Sequence, residues 1–208
     1  MSINTETLNF WKEEYRDDYM KKNAEFDSAL GVEAWNLMLK NTQSISSIVE
    51  CGCNIGRNID FLKQINRDYD ISAIDVNEKA INFVKEKYSI SDSFVGRIED
   101  ASFKNNNYDL AFTMGVLIHV HPDELLATAK KVVDISKKYV LIGEYFNRTP
   151  TMIPYQGKEN LLFKRDFGKY FLENFDLEVI DYGFWWGHYY DDAGFDDFTW
   201  WIYKKNES

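Results

Sequence analysis

The chain has 208 residues and a formal net charge of −10. A chain of this length buries a full core without disulfides or metals, so we expect one domain over residues 1–208. The negative charge disfavours DNA or RNA as a partner, because nucleic-acid backbones are bound through clusters of lysine and arginine. A small-molecule substrate is the better expectation.

The cysteines and the hydropathy pattern indicate where in the cell the protein is expected. The two cysteines, Cys51 and Cys53, have no second pair to complete a zinc site, which suits a reducing cytoplasm and predicts no metal. We find no secretion signal and no apolar run of about 18 residues, so we expect a cytoplasmic protein with no membrane partner. Whether it is a monomer or a homodimer stays open.

Apolar periodicity predicts the elements in chain order. Residues 5–40 carry apolar side chains at three- and four-residue spacings and are predicted to be helical. Beyond them, short apolar runs alternate with helical patterns. Strands are predicted at 45–49, 71–75, 92–95, 108–113 and 138–144, and helices at 57–66, 78–88 and 122–135. This alternation indicates an α/β protein with a doubly wound, mostly parallel sheet.

The C-terminal part departs from this pattern. Residues 145–163 are polar and contain proline, so no regular element is predicted there. A helix is predicted at 164–174. Two aromatic strands, at 177–184 and 198–204, are joined by a Gly/Asp-rich link. They predict a C-terminal hairpin with an antiparallel strand, which completes seven strands.

A glycine-containing turn joins the first predicted strand to the helix that follows. It reads I-V-E-C-G-C-N-I-G from Ile48 to Gly56, with an acid at Glu50 and a second glycine at Gly52. Nucleotide-like ligands bind at such turns because glycines let the backbone approach and the helix start offers N–H groups. Asp75 ends the next predicted strand, nineteen residues past Gly56, close to the spacing at which an acid meets a ribose diol. Both signals indicate one cofactor pocket.

The turn favours S-adenosylmethionine (SAM) over a dinucleotide. A pyrophosphate requires G-x-G-x-x-G, and this turn has only Gly52 and Gly56. SAM carries no phosphate, and its sulfonium and ammonium groups are positive, which suits a loop beside Glu50. An NAD-dependent oxidoreductase is the less favoured alternative. A regulatory subunit that binds SAM or S-adenosylhomocysteine (SAH) without turnover is a second alternative, since fold and function separate readily.

The order of these motifs resembles the class I SAM-dependent methyltransferases. Four segments resemble more narrowly the methyltransferases associated with pseudaminic acid and related surface-polysaccharide biosynthesis: F-W-K-E-E-Y-R-D-D-Y-M-K-K-N at 10–23, E-C-G-C-N-I-G-R-N at 50–58, G-V-L-I-H-V-H-P-D at 115–123 and L-F-K-R-D-F at 162–167. The resemblance implies a Rossmann-like fold, SAM as methyl donor, SAH as product and a small-molecule acceptor such as a sugar, acidic sugar or nucleotide sugar. It divides the domain into an N-terminal helical cap (1–43), a cofactor-binding core (44–144) and an acceptor-side segment (145–208).

Carried onto this chain, the resemblance implies a set of cofactor contacts. The methionine part of SAM is expected at the glycine turn, the ribose at the acid ending the second strand, the adenine after the third strand, and the methyl-transfer edge after the fourth. Aromatic residues of the N-terminal segment are expected to cap the cofactor. The residues are Glu50, Gly52, Cys53, Asn54 and Gly56 for methionine, Asp75 and Val76 for ribose, Ile98, Glu99 and Asp100 for adenine, Met114 and Gly115 at the edge, and Trp11, Tyr15 and Tyr19 in the cap.

Candidate catalytic and acceptor residues follow the fourth and fifth strands. His119 is the candidate general base, with His121 as the weaker candidate, because histidine exchanges a proton near neutral pH. Arginines suit a carboxylate or phosphate of the acceptor, and tryptophans suit a sugar ring. Each has a structural alternative: a loop anchor, a surface charge or a core side chain. The remaining candidates are Glu144 and Tyr145 for catalysis, and Asn147, Arg148, Tyr155, Lys164, Arg165, Trp185, Trp186 and Tyr189 for the acceptor.

Overall fold

A computed structural model describes residues 25–155 and 158–206 of the protein. They contain one large sheet, one small sheet and the helices that pack on them. The strands are β1 (Ser47–Cys51), β2 (Asp70–Asp75), β3 (Ser93–Val95), β4 (Tyr108–Met114), β5 (Ser136–Glu144), β6 (Thr151–Tyr155), β7 (Lys158–Lys164), β8 (Leu177–Trp185) and β9 (Phe198–Lys205). The helices are α1 (Ser28–Leu39), α2 (Arg57–Ile65), α3 (Glu78–Lys87), α4 (Pro122–Ile135), α5 (Phe167–Asn174) and α6 (Gly187–Tyr190).

The large sheet has seven strands in the order β3-β2-β1-β4-β5-β9-β8. Strands β1 to β5 pair in parallel, and β9 pairs antiparallel with both β5 and β8. Strand β8 therefore runs in the same direction as β1 to β5, and these six strands end at one edge of the sheet. The predicted doubly wound, mostly parallel sheet with an antiparallel C-terminal strand is confirmed. The antiparallel strand lies inside the sheet, and β8 forms its border.

The core lies on both faces of this sheet, because successive side chains of a strand point to opposite sides. On β1, Ile48 joins the apolar cluster formed with α1, α2 and α3, whereas Val49 joins the cluster formed with α4 and α5. Both side chains are buried completely. The short apolar runs in the sequence are thus strands covered by helices on both faces.

The small sheet is an element that the sequence did not predict. Residues 145–163 were expected to be irregular, but β6 and β7 form an antiparallel pair there. The consecutive apolar residues Leu161, Leu162 and Phe163 are all buried, because the hairpin packs on the turn that follows β4. Polar composition and a proline concealed this apolar run. The following helix, α5, starts at Phe167 rather than at the predicted position 164. The Asp166 carboxylate caps this helix start by accepting the Lys169 N–H at 2.8 Å.

Only part of the predicted N-terminal helix falls on described residues. Helix α1 occupies the end of the predicted range 5–40, and the residues before position 25 lie outside the described part of the chain. Its N-cap is Asp27, whose carboxylate accepts the Leu30 N–H at 3.0 Å. Among the helices of residues 25–155 and 158–206, none has the length and apolarity needed to cross a membrane.

Close packing of α1 on α2 yields a stability prediction. A methyl group on Gly31 would overlap the ring of Phe61, which is fully buried. We expect Gly31→Ala to lower the free energy of unfolding by about 1–3 kcal/mol, the usual cost of overpacking. Urea denaturation measures the change. Leu37→Ala, at a 40% exposed position of α1, is the control and should cost well under half as much. Equal unfolding free energies for wild type and Gly31→Ala would contradict this packing.

Candidate functional site

The turn between β1 and α2 depends on its two glycines. Gly52 has φ +89° and Gly56 has φ +74°, both in the left-handed region that glycine adopts at little cost. A Cβ on Gly52 would lie 2.5 Å from a methyl carbon of Val116, in the turn after β4. The turn is therefore tight in backbone conformation and in its contact with a neighbouring loop.

Four N–H groups of this turn bond within the protein. A dinucleotide site instead points free backbone N–H groups at a pyrophosphate. The Gly52 and Cys53 N–H groups donate to the Ile74 carbonyl at 2.7 and 3.0 Å. The Asn54 N–H donates to Asp75 Oδ2 at 2.8 Å, and the Gly56 N–H donates to the Cys53 carbonyl at 2.8 Å. The geometry therefore fits a cofactor without phosphate at this turn.

Asp75 joins two turns at the end of β2. Its Oδ2 accepts the Asn54 N–H and its Oδ1 accepts the Asn77 N–H, both at 2.8 Å. Burial raises the pKa of Asp75, while the bonds from Asn77, Asn54 and Val76 lower it. A carboxylate accepts about four hydrogen bonds. Asp75 therefore retains the capacity to accept about one further donor, such as a hydroxyl of the expected ribose.

Glu50 is a buried acid with one unsatisfied oxygen. Its side chain is 1% exposed, and its Oε1 accepts a 2.7 Å hydrogen bond from Asn58 Nδ2. Its Oε2 has no hydrogen-bond partner among the described residues. Burial raises the pKa of Glu50 to about 8, against the lowering effects of Asn58 and Arg57. A buried acceptor without a partner is costly, which indicates a place for a donor group of a ligand.

The residues expected at adenine occupy a short 3-10 turn, Ile98–Asp100. Ile98 is buried, in keeping with packing on a ring. Glu99 faces α4 instead: it pairs with Arg97 and accepts the Thr128 hydroxyl at 3.0 Å. Asp100 is exposed. These contacts leave Ile98 and Asp100 as adenine candidates and give Glu99 a structural task.

The end of β4 lies beside β5 and β9. The Gly115 N–H donates to the Gly143 carbonyl at 2.8 Å, and a Cβ on Gly115 would lie 3.1 Å from the ring of Phe198. Met114 is 9% exposed. Both residues therefore lie at the carboxyl edge of the sheet, where ligands bind in this architecture.

Glu144 holds the turn after β4 in place. The carboxylate is fully buried and accepts N–H groups of Val116 at 3.0 Å, Leu117 at 2.8 Å and Ile118 at 3.3 Å. Burial raises its pKa to about 7, although these donors lower it. We predicted a catalytic Glu144 from its place at the end of β5. Both oxygens accept backbone donors, which favours a structural role, and the catalytic role of Glu144 stays a prediction.

The two histidines after β4 anchor the chain locally. Burial lowers the pKa of His119 to about 4, and its Nδ1 lies 2.9 Å from the Leu161 carbonyl of β7. His121 caps α4 by accepting the Asp123 N–H at 3.3 Å. The lowered pKa and the Leu161 contact favour the structural alternative over a general base for His119, because a base near neutral pH needs a pKa close to that pH. The cap on α4 favours the structural alternative for His121.

Tyr145 lies at the centre of the expected acceptor side. Its hydroxyl donates to Asp196 Oδ2 at 2.6 Å, and its ring centroid lies 4.6 Å from that of Phe198. Lys164 Nζ is 4.5 Å from the same ring centroid. Tyr145 therefore connects the β6–β7 hairpin with the link between β8 and β9, beside the Gly115 edge.

Three expected acceptor residues, Asn147, Arg148 and Arg165, lie at the base of the β6–β7 hairpin, and a fourth, Tyr155, lies at its turn end. The Asn147 N–H donates to the Arg165 carbonyl at 3.1 Å, and the Tyr155 ring lies 5.7 Å from that of His119. The Arg165 guanidinium lies 5.1 Å from the Tyr170 ring centroid. Arg148 is exposed beside them. Their roles toward an acceptor stay predictions.

The link between β8 and β9 separates the two predicted tryptophans. Trp185 is 2% exposed and packs against Trp200 with ring centroids 5.7 Å apart, so its predicted contact with the acceptor is corrected to a core position. Trp186 is 58% exposed and lines a cavity of about 520 Å³ with Tyr189. The other lining residues are Gly187, His188, Asp191, Asp192, Asp196 and Asp197.

Some predicted residues are outside the described part, and some contacts were missed. Trp11, Tyr15 and Tyr19 precede residue 25, so their expected cap stays a prediction. The contact of Asn58 with Glu50 was not predicted. The position of Asn58 on the apolar face of α2 was a sign of it, because a buried polar side chain usually has a hydrogen-bond partner. Asp196 was not predicted, since nothing in the Gly/Asp-rich link distinguishes it from its acidic neighbours.

Burial of Glu50 yields a pH prediction. Its pKa is about 8 in the folded protein and near 4.5 when unfolded, so the folded state holds the proton more tightly between these values. Stability from this group is therefore highest below about pH 4.5 and falls as the pH rises toward 8. We expect Glu50→Gln to flatten the dependence of the unfolding free energy on pH by up to about 1.4 kcal/mol per pH unit.

Chemical denaturation at several pH values between 5 and 8.5 measures this effect. Glu86→Gln, at an exposed position of α3, is the matched control and should follow the wild type. A Glu50→Gln variant with the full pH dependence of the wild type would mean that Glu50 is not a buried acid.

Comparisons with known proteins agree with this architecture. Residues 48–138 match the family model described as methyltransferase domain. A search of curated proteins finds no match. Similar solved structures include 1,6-didemethyltoxoflavin-N1-methyltransferase of Burkholderia thailandensis with SAH, at 12% identity and TM-score 0.69, covering 99% of this chain and 88% of that one. Magnesium protoporphyrin IX methyltransferase of Synechocystis PCC 6803 with SAH has 12% identity and TM-score 0.68, covering 97% and 99%.

A third similar structure is a SAM-dependent methyltransferase of Leishmania major, at 14% identity and TM-score 0.70, covering 97% of this chain and 82% of that one. At identities this low, structural similarity establishes only the fold. It is the same fold that we inferred from the strand order. The chain has the fold of the class I SAM-dependent methyltransferases, and residues 48–138 match their methyltransferase domain.

Proposed function

We propose that this protein is a SAM-dependent methyltransferase that acts on a small molecule. The observation that carries the proposal is the buried Oε2 of Glu50, which has no hydrogen-bond partner among the described residues, beside a glycine turn in which four N–H groups bond within the protein. This combination suits a ligand with a cationic N–H donor and no phosphate. SAM has both properties, whereas a nicotinamide dinucleotide has a pyrophosphate that this turn does not serve.

The described residues fit the parts of SAM in order along the sheet edge. Glu50 would accept a hydrogen bond from the ammonium group, and Asp75 would accept one from the ribose diol. Ile98 would pack on the adenine. When bound, SAM supplies a methyl group activated by its sulfonium. The protein then has to bind, orient and exclude water, because in-line methyl displacement depends chiefly on positioning.

Acceptor positioning is best assigned to Tyr145. Its hydroxyl is fixed by Asp196, and its ring lies against Phe198, which lies next to Gly115 at the end of β4. The Tyr145–Asp196 pair offers an oriented polar group at the edge where methyl transfer is expected. A proton released by a hydroxyl acceptor would pass to this pair rather than to His119, which faces Leu161.

The acceptor that we propose carries several hydroxyl groups, as a sugar does. Exposed Trp186 and Tyr189 offer ring faces for stacking, and the aspartates of the same cavity accept hydroxyl donors. This acidic lining suits a neutral or amine-bearing sugar. Arg148 and Arg165 at the hairpin base suit an acidic or nucleotide-linked sugar instead, in line with the resemblance to surface-sugar methyltransferases. Assays with all three sugar classes distinguish these acceptors.

Calorimetric titration with SAH and with NADH tests the cofactor. We expect SAH to bind and NADH not to bind. Asp75→Ala should weaken SAH binding about ten- to a hundred-fold, because it removes charge-assisted hydrogen bonds worth about 1.5–3 kcal/mol. Asp92→Ala, an exposed acid just before β3, is the control and should bind SAH as the wild type does. Unchanged SAH affinity in Asp75→Ala would refute the ribose assignment.

The remaining alternatives predict different results. An oxidoreductase on this fold would bind NADH in the same titration. A regulatory subunit would bind SAH and transfer no methyl group to any sugar of the panel.

A further inference from the structure

Glu50 is the end of a chain of buried hydrogen bonds that starts in α1. The Trp35 indole Nε1–H donates to Asn58 Oδ1 at 3.2 Å, and Asn58 Nδ2 donates to Glu50 Oε1 at 2.7 Å. The exposed fractions are 0% for Trp35, 5% for Asn58 and 1% for Glu50. The chain runs from α1 through α2 to the end of β1, beneath the glycine turn.

The chemistry of the three groups gives the chain a direction. The indole N–H only donates, so the amide of Asn58 must present its oxygen to Trp35 and its NH₂ to Glu50. With the amide flipped, its oxygen would face the carboxylate and its NH₂ would face another donor. Trp35 therefore decides which end of Asn58 meets Glu50, and Asn58 decides which oxygen of Glu50 is occupied.

We infer that Trp35 and Asn58 are positioning residues that hold Glu50 with Oε1 occupied and Oε2 available to the ammonium group of SAM or SAH. The inference rests on the proposed function. It explains why Oε2 has no partner among the described residues although the carboxyl group is buried. It also assigns a task to α1, which lies in the segment expected to cap the cofactor.

Several charged or titratable groups act on Glu50 besides Asn58. The Arg57 guanidinium favours its ionised form, and Asp75 disfavours it. Its negative charge in turn contributes to raising the pKa of the Cys51 and Cys53 thiols and of the Tyr88 hydroxyl. Asn58 supplies the hydrogen bond that lowers the pKa of Glu50, so its loss should leave less carboxylate for an ammonium group near neutral pH. SAH affinity would then recover only at higher pH.

Two ligands separate this role from general packing. SAH carries the ammonium group, whereas 5′-methylthioadenosine has the same adenine, ribose and thioether without it. We expect Asn58→Leu to lower the affinity for SAH about ten-fold, equal to about 1.4 kcal/mol, and Trp35→Phe to lower it about three-fold. In both variants the affinity for methylthioadenosine should change less than about two-fold. In Asn58→Leu, the pH at which SAH binding is half-maximal should move upward. Calorimetric titration between pH 6.5 and 8.5 measures both quantities.

Controls separate positioning from folding. Phe61→Leu changes another buried side chain of α2 outside the hydrogen-bond chain and should affect both ligands equally. In a Glu50→Gln background, Asn58→Leu should cause no further selective loss of SAH. If Asn58→Leu does not fold, Trp35→Phe decides, because it keeps an aromatic ring in the core.

The outcomes for this inference and for the proposed function differ. Equal losses of SAH and methylthioadenosine in Asn58→Leu and Trp35→Phe would overturn the positioning role while leaving the cofactor assignment intact. A wild-type protein that binds neither ligand would refute the proposed function, and the inference with it.

Discussion

The Asp75 carboxylate is the interaction on which the candidate site depends. It accepts N–H groups from Asn54 and Asn77, and so joins the glycine turn after β1 to the turn after β2. Glu144 does the same for the turn after β4. Buried carboxylates satisfied by backbone donors hold loops in one conformation, because each donor lost leaves an unpaired charge in the interior. The carboxyl edge of the sheet is thus rigid where a ligand would contact it.

Glu50 differs from these two acids because one of its oxygens has no partner in the part of the chain that the structure describes. For folding alone an apolar residue would be cheaper at this position, since burial of an acid opposes ionisation and raises its pKa to about 8. Such a cost is typical of binding sites, where the missing partner arrives with the ligand. Among these three acids, Glu144 holds one turn, Asp75 joins two turns and is also proposed to bind the ribose, and Glu50 is proposed to receive its missing donor from the ligand.

The proposed acceptor side combines two segments that are distant in sequence. The β6–β7 hairpin packs on the turn after β4, with His119 bonded to Leu161, and the β8–β9 link carries the aspartates and Trp186. Tyr145 connects them through Lys164 and Asp196. Solved structures with this fold include a 1,6-didemethyltoxoflavin-N1-methyltransferase and a magnesium protoporphyrin IX methyltransferase. Specificity in this protein is therefore expected from these two segments.

The sequence by itself determined the α/β alternation, the helix 122–135, the C-terminal antiparallel pairing and the cofactor turn with its acid at Asp75. These features depend on local periodicity and on glycine conformation, which neighbouring residues in the chain specify. Tertiary structure alone decided that Glu144 and His119 anchor loops, that Trp185 is core, that 145–163 contains a hairpin, and that Trp35 and Asn58 reach Glu50. Each of these depends on a partner far away in sequence, such as Val116 for Glu144, and only packing brings such partners together.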